Sequence, residues 1–493
     1  MSEPTDLPPP DAPPTPAGPA IGQDEWVARH GERRSRRAGL IGDVEDRLRR
    51  APWWAWLVLF VAAFALLPVV SGDGYIRRVA FDTTIYMLLA LGLNVVVGWG
   101  GLLDLGYVAF YGIGAYTYAL LNSHQLGVHL PTIVTIPIVV VIGAVAGFLV
   151  GLPSRRLIGD YLAIVTLFFL QIFLTVATNG DQIGGHNITG GANGILNVDP
   201  LHLLGHSLVV QHEGVFAVGY LYISIALFAV VYAALHFVNH SRTGRAWRSL
   251  REDPLAAEAM GMPVNLLKLM AFSFGAAIAA LTGTVFASLN ASVFPLSFSF
   301  PLVITVYTMV ILGGQGNLAG VTIGAVVISV LLELLRDAGD ARILFYLVGL
   351  LVLAYAFGRS RKLVAMLAAL IVFGFAAHGV ADLIHHSWVN GPAANGLDSV
   401  LSHWVIIPTA LNTWIGPVSY ITLICLVLAL TLVHGWTRDL LLVPTVYLGT
   451  FVWENVLLAQ PDATRYIVLG VMLIGLMIVR PNGLLGERRM EII

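Results

Sequence analysis

The sequence predicts an all-α polytopic membrane protein, a transmembrane helical bundle of about 14 spans, and three observations support this fold class. The 493 residues are 57% hydrophobic and only 11% charged, whereas soluble domains carry about 25% charged residues. Apolar runs of about 17–23 residues recur along nearly the whole chain, and a helix of that length crosses a bilayer. The sequence lacks the short alternating segments that are typical of a membrane β-barrel.

The first 50 residues precede the apolar runs and divide into two parts. Residues 1–23 are polar and rich in proline, which predicts disorder and does not fit a cleavable signal peptide. Residues 29–50 are strongly basic, so we expect this tail to stay in the cytoplasm and to lie on anionic lipid. The tryptophans that follow, at 53, 54 and 56, stand where an interfacial aromatic belt belongs.

The apolar runs divide the rest of the chain into three parts. Residues 51–358 form a predicted membrane core, 359–462 hold additional membrane helices, and 463–493 form a terminal helix and a cytoplasmic C-terminus. Residues 404–415 fit either an interfacial or a re-entrant segment. The predicted spans are 53–70, 79–97, 102–121, 131–150, 160–178, 215–237, 266–289, 301–313, 318–336, 342–357, 363–384, 416–435, 439–458 and 464–480.

The distribution of positive charge tests the direction of these spans, because cytoplasmic loops carry an excess of Lys and Arg. When the spans alternate from a cytoplasmic N-terminus, five basic clusters fall on the cytoplasmic side, and the long external segments 179–214 and 385–415 are poor in Lys and Arg. The prediction is a multi-pass cell-membrane protein with both termini in the cytoplasm. The clusters are Arg155–Arg156, Arg242–Arg251, Arg359–Lys362, Arg438 and Arg488–Arg489.

The loop at 241–262 is the longest markedly charged segment between spans. Asp253 followed by Pro254 is a helix-start signal, because the carboxylate accepts an orphan N–H and proline suits the first turn. The Ala-rich run that follows ends at Gly261, a natural helix stop. The sequence therefore predicts a capped helix of about two turns, too short to cross a bilayer. A loop that only fixes topology needs no such helix, so we expect it to dock on a cytoplasmic partner protein.

Several kinds of site are excluded by the residues themselves. The chain has two lysines, Lys268 and Lys362, and neither follows a glycine, so no phosphate-binding P-loop exists. The only cysteine is Cys425, which excludes an intrachain disulfide and a thiolate metal cluster. The histidines show no metal-ligand spacing, and no nucleophile–base arrangement is visible. We therefore predict no enzymatic activity, no cofactor and no bound metal; any ATPase must be another chain.

Carboxyl groups inside spans and glycine-rich interruptions are the remaining candidates. Asp104, Glu333 and Glu454 fit either a functional role or hydrogen-bonded packing, since no basic partner is visible in the same spans. Glycines interrupt the apolar runs at 98–115 and again at 313–320. Each interruption fits tight helix packing or a broken helix whose freed N–H groups face an anionic substrate group.

Several motifs, in one order, resemble the integral-membrane permeases of branched-chain amino acid ABC importers, of the LivM type. The similarity covers about 92–336 and the C-terminus. The blocks that carry it are LGLNVVVGWGGLLDLGYVAFYGIGAY at 91–116, GDYLAIVTL at 159–167, TGGANGI at 189–195, GRAWRSLREDPLAAEAMG at 244–261, AFSFGAAIAALTGTVFA at 271–287, LGGQGNLAG at 312–320 and RPNGLLG at 480–486.

This resemblance implies a type II-like ABC importer core with broken helices, in which the loop 241–262 is the coupling helix that sits in a groove of the cytoplasmic ATPase. It also implies further partners: two ATPase subunits, a second homologous permease and an external substrate-binding protein, with membrane lipid around the chain and no nucleic acid. The residues it assigns to coupling are Gly244, Arg245, Arg248, Arg251, Glu252, Asp253, Ala256, Ala257 and Gly261.

The chain departs from the family in two places. Leu102, Asp104 and Tyr107 stand where many relatives have Gln, Ser and His. Relatives also end soon after a helix that begins with Arg and finishes in RPxGL. Here the helix at 341–357 begins in that way but ends in GRSRK, and the expected ending comes about 120 residues later. We expect four added spans, which return the C-terminus to the cytoplasm.

The main hypothesis is a permease subunit that moves a branched-chain or similar hydrophobic amino acid past the broken segment 98–115 and the span 160–178. The alternatives are the same machine for urea, an amide or a short-chain acid, an ion-coupled carrier that works alone, and a structural scaffold. The candidate substrate-pathway residues are Asn94, Asp104, Tyr161 and Thr166.

Overall fold

The computed structural model describes residues 52–70, 72–154, 157, 159–181, 187–203, 206–207, 218–358, 361–389, 403–408, 414–458, 460–479 and 483–486. The predicted N-terminal tail 1–50 and the basic cluster at 155–156 lie outside the described residues. The same is true of Arg359 and of residues 487–493, with their arginines at 488 and 489.

The described chain is mainly helical, as the composition predicts. Its helices are α1 Trp53–Val70, α2 Gly74–Leu93, α3 Tyr107–Leu121, α4 Thr132–Ser154, α5 Asp160–Asn179, α6 Val218–His240, α7 Arg242–Glu252, α8 Pro254–Ala259, α9 Val264–Asn290, α10 Phe300–Gly313, α11 Leu318–Leu334, α12 Ala338–Phe357, α13 Arg361–Ile384, α14 Ile415–Leu432, α15 Trp436–Val452 and α16 Pro461–Val479. Single π-helical turns extend α2 over Asn94–Trp99 and α15 over Trp453–Leu457.

Ten of the described helical segments are long and apolar enough to cross a membrane, or eleven if α11 and α12 count as one span bent by 118°. The helical, polytopic fold class is therefore confirmed. The count of about 14 spans stays a prediction. Helix α3, with 15 residues, falls short of a full span, whereas α10 and the 3₁₀ turn before it together form the 19-residue span Pro295–Gly313.

Two short antiparallel pairings join the segments between helices. Strand β1, Ile195–Leu196, pairs with β4, Ser292–Val293, and this pairing ties the segment after α5 to the end of α9. Strands β2, His202–Leu203, and β3, His206–Ser207, form a small hairpin. The segments 187–203 and 291–299 therefore lie at one end of the helix bundle.

Helix α9 forms the centre of the core, where it packs along α2, α3 and α4. Small residues allow this close approach. A Cβ atom on Gly114 of α3 would stand 2.1 Å from the carbonyl oxygen of Ala280, and one on Gly283 would stand 2.3 Å from that of Tyr111. The glycine-rich run at 98–115 thus packs tightly through its C-terminal part.

The same run is also broken, as the second interpretation of its glycines predicts. The helix α2 ends its π-helical turn at Trp99, and the chain becomes helical again at Tyr107. A second break lies at 314–317, between α10 and α11, where Gly314 and Gly316 have φ values of 105° and 92°. Both breaks contact Arg251 of the segment 241–262.

Helices α12 to α15 leave the core and return to it, and we call them the added part; α12 lies within the predicted core 51–358, and α13 to α15 lie within the predicted additional segment 359–462. Helix α12 turns away after α11, whereas α16, the last helix, packs against α10. A buried ion pair joins the two ends of this added part: Arg342 Nη2 of α12 lies 2.9 Å from Glu454 Oε2 beside α15, and the hydroxyl of Tyr346 donates to Glu454 Oε1 at 3.1 Å.

Candidate functional site

The segment 241–262 contains two helices rather than one. The arginine-rich stretch, which was expected to be loop, is the three-turn helix α7, and its N-cap Ser241 accepts a hydrogen bond from the Gly244 N–H at 3.3 Å. The physical reason is a buried face: Gly244, Trp247 and Leu250 recur every third residue and lie inside the protein. The arginines at the same spacing are the other side of an amphipathic helix.

Helix α8 has the caps that the sequence predicts. The Asp253 carboxylate accepts hydrogen bonds from the N–H groups of Leu255 and Ala256, at 2.8 and 3.0 Å, and Pro254 is the first helical residue. Beyond the C-terminal end, Gly261 has a φ of 79°, a conformation that glycine adopts without strain. The prediction of a short capped helix is confirmed.

Helix α7 is fastened to the core by a pair of tryptophans. The ring of Trp247 stacks on that of Trp99 with a centroid distance of 6.3 Å and an interplanar angle of 19°, and both side chains are buried. The Trp247 indole N–H also donates to the carbonyl oxygen of Leu267 at 2.9 Å, at the start of α9. These contacts attach α7 to α9 and to the first break.

Arg251, at the end of α7, reaches both breaks. Its Nη1 donates to the carbonyl oxygen of Gly98 at 2.6 Å. A Cβ atom on Gly316 would stand 2.7 Å from the same Nη1, and one on Gly101 would stand 3.1 Å from Arg251 Cγ. Glycine at both positions leaves the space that the arginine side chain occupies.

The two breaks also bond directly to each other. The Asn94 side-chain oxygen accepts a hydrogen bond from the Gly316 N–H at 2.8 Å, and the Trp99 indole N–H donates to the Gly316 carbonyl oxygen at 2.9 Å. We call the resulting cluster the junction; its members are Asn94, Gly98, Trp99, Trp247, Arg251 and Gly316. Asn94 was expected in the substrate pathway, and the structure places it here.

Residues 483–486 add a third chain segment beside the junction. The N–H groups of Leu484 and Leu485 donate to the carbonyl oxygens of Leu312 and Gly313, at 2.8 and 3.0 Å. The Asn317 side-chain amide donates to the carbonyl oxygen of Leu485 at 3.0 Å. The displaced C-terminal motif thus covers the second break.

The remaining residues assigned to coupling occupy three kinds of position. Arg245 and Arg248 donate to the carbonyl oxygens of His240 and Asn239, at 2.9 and 3.3 Å, and so fix α7 to the end of α6. Ala257 is buried, whereas Glu252 and Ala256 are exposed. Two exposed apolar side chains of this segment escaped the sequence analysis: 78% of the surface of Leu255 and 81% of that of Met260 is accessible.

The candidate pathway residues lie in different places. Asp104 and Thr166 are buried around the first break, but Tyr161 of α5 is 71% exposed on the outer face of the protein. The sequence analysis missed Tyr307, whose hydroxyl oxygen accepts a hydrogen bond from the Asp104 N–H at 2.8 Å. A lone tyrosine in an apolar run offers no signal of such a role.

The freed N–H groups of this break do not face open space. The Leu105 N–H donates to the Thr166 hydroxyl oxygen and the Gly106 N–H donates to the Asp104 carboxylate, both at 2.9 Å. A substrate anion is therefore not required to satisfy the N–H groups of residues 104–106, contrary to the sequence expectation. The second Asp104 carboxylate oxygen, Oδ2, is buried without a hydrogen-bond partner among the described residues.

The other two carboxyl groups have partners that the sequence hid. Glu454 pairs with Arg342 from a neighbouring helix, which favours the packing interpretation. Glu333 accepts hydrogen bonds from the Tyr75 hydroxyl and from Arg336, the latter at 3.2 Å. In the described part of the chain, no group of three or more His, Cys, Asp or Glu side chains is placed to hold a metal ion.

Comparison with known proteins shows that the chain is similar to transport permeases. Residues 75–357 match the family described as the permease component of the branched-chain amino acid transport system. The chain is 41% identical over 294 residues to the high-affinity branched-chain amino acid transport system permease protein LivM of Salmonella typhimurium. The match covers 56% of this chain and 67% of that protein.

Two further relatives show how far the similarity extends. The LivM protein of Escherichia coli is 40% identical over 316 residues, which cover 60% of this chain and 72% of the relative. The fructose import permease protein FruG of Bifidobacterium longum is 26% identical over 318 residues, which cover 62% of this chain and 89% of the relative. No solved structure matches the chain.

Proposed function

Because the chain belongs to the family of branched-chain amino acid transport system permease components, we propose that it is the membrane-spanning subunit of an ATP-driven importer for branched-chain or similar hydrophobic amino acids. It is a non-catalytic permease. Its own two lysines build no P-loop, so ATP hydrolysis belongs to a separate subunit.

The observation that carries the proposal is an exposed short helix on a rigid base. Helix α8 and its C-cap residue expose the apolar side chains of Leu255 and Met260 to solvent. Exposed apolar side chains beside charged ones mark a contact surface. Its base, α7, is held by the tryptophan stack and by the Arg251 hydrogen bond. A helix that is exposed but firmly attached transmits displacement, so we assign α8 as the docking element for a cytoplasmic ATPase.

The junction supplies a route for that displacement. A shift of α8 moves Asp253 and then Arg251, whose guanidinium bonds to Gly98 in the first break. The Trp99 side chain and Asn94 carry the shift to Gly316 in the second break. Interfaces of this kind switch between discrete arrangements, because a packed interior does not deform continuously.

The orientation and the other partners follow from the same proposal. In this proposal α8 and both termini lie in the cytoplasm, and the positive charge of α7 supports that orientation. A second homologous permease, two ATPase subunits and an external substrate-binding protein complete the machine. The substrate crosses beside the first break, where Asp104, Thr166 and Tyr307 lie together.

Uptake by proteoliposomes that contain the complete complex tests this function. Replacing Arg251, Glu252 and Asp253 together by alanine should abolish ATP-dependent leucine uptake, because it removes both the junction contact and the α8 cap. The matched control replaces the exposed residues Thr437, Arg438 and Asp439 at the start of α15. Unchanged uptake by the first variant contradicts the coupling role, and uptake without any ATPase contradicts the ATP-driven mechanism.

A second candidate is the same machine carrying another small solute. The similarity to a fructose import permease favours it, since related permeases then serve chemically different substrates. The affinity of the partner binding protein separates the two candidates. Tight binding of leucine, isoleucine or valine supports the amino acid importer, whereas tight binding of a sugar, urea or an amide supports the alternative.

A further inference from the structure

A polar cavity of about 300 Å³ lies between α2, α10, α11 and α16. It is away from the junction: Asp82, which lines it, precedes Asn94 on the same helix by 12 residues, or about 18 Å at 1.5 Å per residue. The cavity lies near the end of the bundle that carries the β1–β4 pair, because Ser297 and Ser299 form part of its wall. Its volume suits a small organic ligand.

Charged groups of both signs line this cavity. Asp82 and Glu333 bring carboxylates from α2 and α11, and Arg465 brings a guanidinium from α16. Arg78 binds Asp82 Oδ2 at 3.1 Å and Arg336 binds Glu333 Oε1 at 3.2 Å. The other oxygen of each carboxylate has no hydrogen bond among the described residues and remains able to accept one from a ligand ammonium group.

The hydroxyl of Ser329 gives the cavity an unsatisfied polar atom. Hydroxyls in membrane helices commonly donate to a carbonyl of the preceding turn. Thr83 and Thr305 of the same cavity do so, to Val79 and Pro301 at 2.8 and 2.9 Å. The buried Ser329 Oγ has no partner in the described part of the chain. A buried hydroxyl without a partner is costly, so this one is poised for a ligand.

Apolar side chains complete the wall. Val79, Leu302 and Leu332 lie beside the charged groups and offer a surface for an aliphatic side chain. A ligand with an ammonium group, a carboxylate and a short aliphatic chain would therefore satisfy every part of the cavity. A simple cation would leave Arg465 and the apolar wall unused, and a simple anion would face two carboxylates.

We propose that this cavity is a binding site for an aliphatic α-amino acid zwitterion, formed within this single chain between α2, α10, α11 and α16. The ammonium group is bound by Asp82 and Glu333, the carboxylate by Arg465, and Ser329 supplies a further hydrogen bond. This assignment depends on the function proposed above, because the ligand class is that of the transported solute. The cavity is a holding site that is separate from the first break.

Binding of radiolabelled leucine to the full chain in lipid nanodiscs, measured by scintillation proximity without ATPase or binding protein, tests the site. We expect saturable binding. The Arg465→Gln variant should weaken it about 10- to 100-fold, the value of a lost charge-assisted hydrogen bond, and Arg465→Lys should recover part of the loss. Ser329→Leu should abolish binding by filling the cavity, whereas Ser419→Leu in α14 should leave it unchanged.

Two analogues test the ligand class. 3-Methylbutylamine lacks the carboxylate and 4-methylpentanoate lacks the ammonium group, so both should compete with leucine at least about tenfold more weakly than valine does. Equal competition by either compound overturns the zwitterion assignment. The unfolding temperature of each variant shows whether lost binding reflects lost folding.

Uptake by the complete complex separates this inference from the proposed function. If the complex carries no amino acid, the proposed function is wrong. If it carries leucine but the full chain shows no saturable leucine binding, or if Ser329→Leu leaves binding and the KM of uptake unchanged, the cavity assignment is wrong and the proposed function stands. A rise in the KM of uptake for Arg465→Gln supports both.

Discussion

The core and the added part of this protein are both helical and apolar, yet they are held together in different ways. In the core, 83% of an 18-residue apolar stretch of α2 is buried, and 61% of the corresponding stretch of α9 is buried. In the added part, the corresponding values are 17% for α13 and 6% for α14. Similar hydropathy therefore accompanies very different packing, because apolar residues satisfy lipid and protein interior equally.

Glycine shows the same contrast at the level of single residues. In the core, Cβ atoms on Gly114 and Gly283 would meet backbone atoms at 2.1 and 2.3 Å. In the added part, Cβ atoms on Gly349 and Gly379 would meet nothing within 4 Å. Core cohesion thus depends on close approach of backbone to backbone. The described added part is held by side chains: Leu335, Ala341 and Trp453 form an apolar cluster, a Cβ atom on Gly374 would stand 1.9 Å from Trp404 Nε1, and Arg342 pairs with the buried Glu454.

The largest effect should come from breaking that ion pair. Arg342→Gln leaves the buried Glu454 carboxylate without its charged partner, and we expect a loss of about 3–5 kcal/mol in the stability of the added part. Thermal unfolding in detergent, followed by size-exclusion chromatography, measures it. The exposed Arg438→Gln is the control. Equal unfolding temperatures for the two variants would show that the pair does not hold these helices.

A smaller loss is expected from a change in the core. Gly114→Val places methyl groups against the carbonyl of Ala280, and because backbone must move, we expect a loss towards the upper end of about 1–3 kcal/mol. The matched control is Gly379→Val in α13, which meets open space and should be neutral. Thermal unfolding followed by size-exclusion chromatography checks both. A larger loss of stability for Gly379→Val than for Gly114→Val would show that close backbone approach does not hold the core together.

A still smaller effect should follow from loss of the α8 cap. Asp253→Ala removes two backbone hydrogen bonds and should cost about 1 kcal/mol of helix stability. If α8 must be helical to dock, ATPase association weakens about fivefold, which surface plasmon resonance with the chain in nanodiscs would detect. Asp253→Asn keeps the cap without the charge and should bind like the original chain. Weak binding by both variants would assign the charge itself to the contact.

The smallest effect on transport should come from deleting the whole added part. Deleting residues 338–459 joins Asp337 to Gln460 and removes Arg342 and Glu454 together, so that no buried charge is left unpaired. The two ends lie close, since Glu333 and Arg465 line one cavity. We expect ATP-dependent uptake by the complete complex to persist. A folded deletion variant without uptake would give the added helices a share in transport.

Features within a few residues of each other could be predicted from the sequence. The α8 cap depends on Asp253 and the two residues after Pro254, and apolar length alone indicates membrane helices. The sequence analysis did not predict that Arg242–Glu252 forms the helix α7. The three-residue spacing of the buried Trp247 and Leu250 is the pattern that indicates this helix.

Contacts across long sequence separations could not be predicted in this way. Arg251 bonds to Gly98 across 153 positions, and Glu454 binds Arg342 across 112. Hydropathy patterns contain no information about which distant helices become neighbours. The membership of the junction, and the partner of each buried carboxyl group, therefore required the structure.

The segment 483–486 bonds to a turn made 168 positions earlier, since Asn317 donates to Leu485. The helices α12 to α16 are therefore all synthesised after one partner of this contact and before the other. A polypeptide whose translation stops before residue 483 has all the described helices but leaves the second break uncovered. The turn at Gly314 and Gly316 is therefore completed only when residues 483–486 bond to it, after the last described helix has been made.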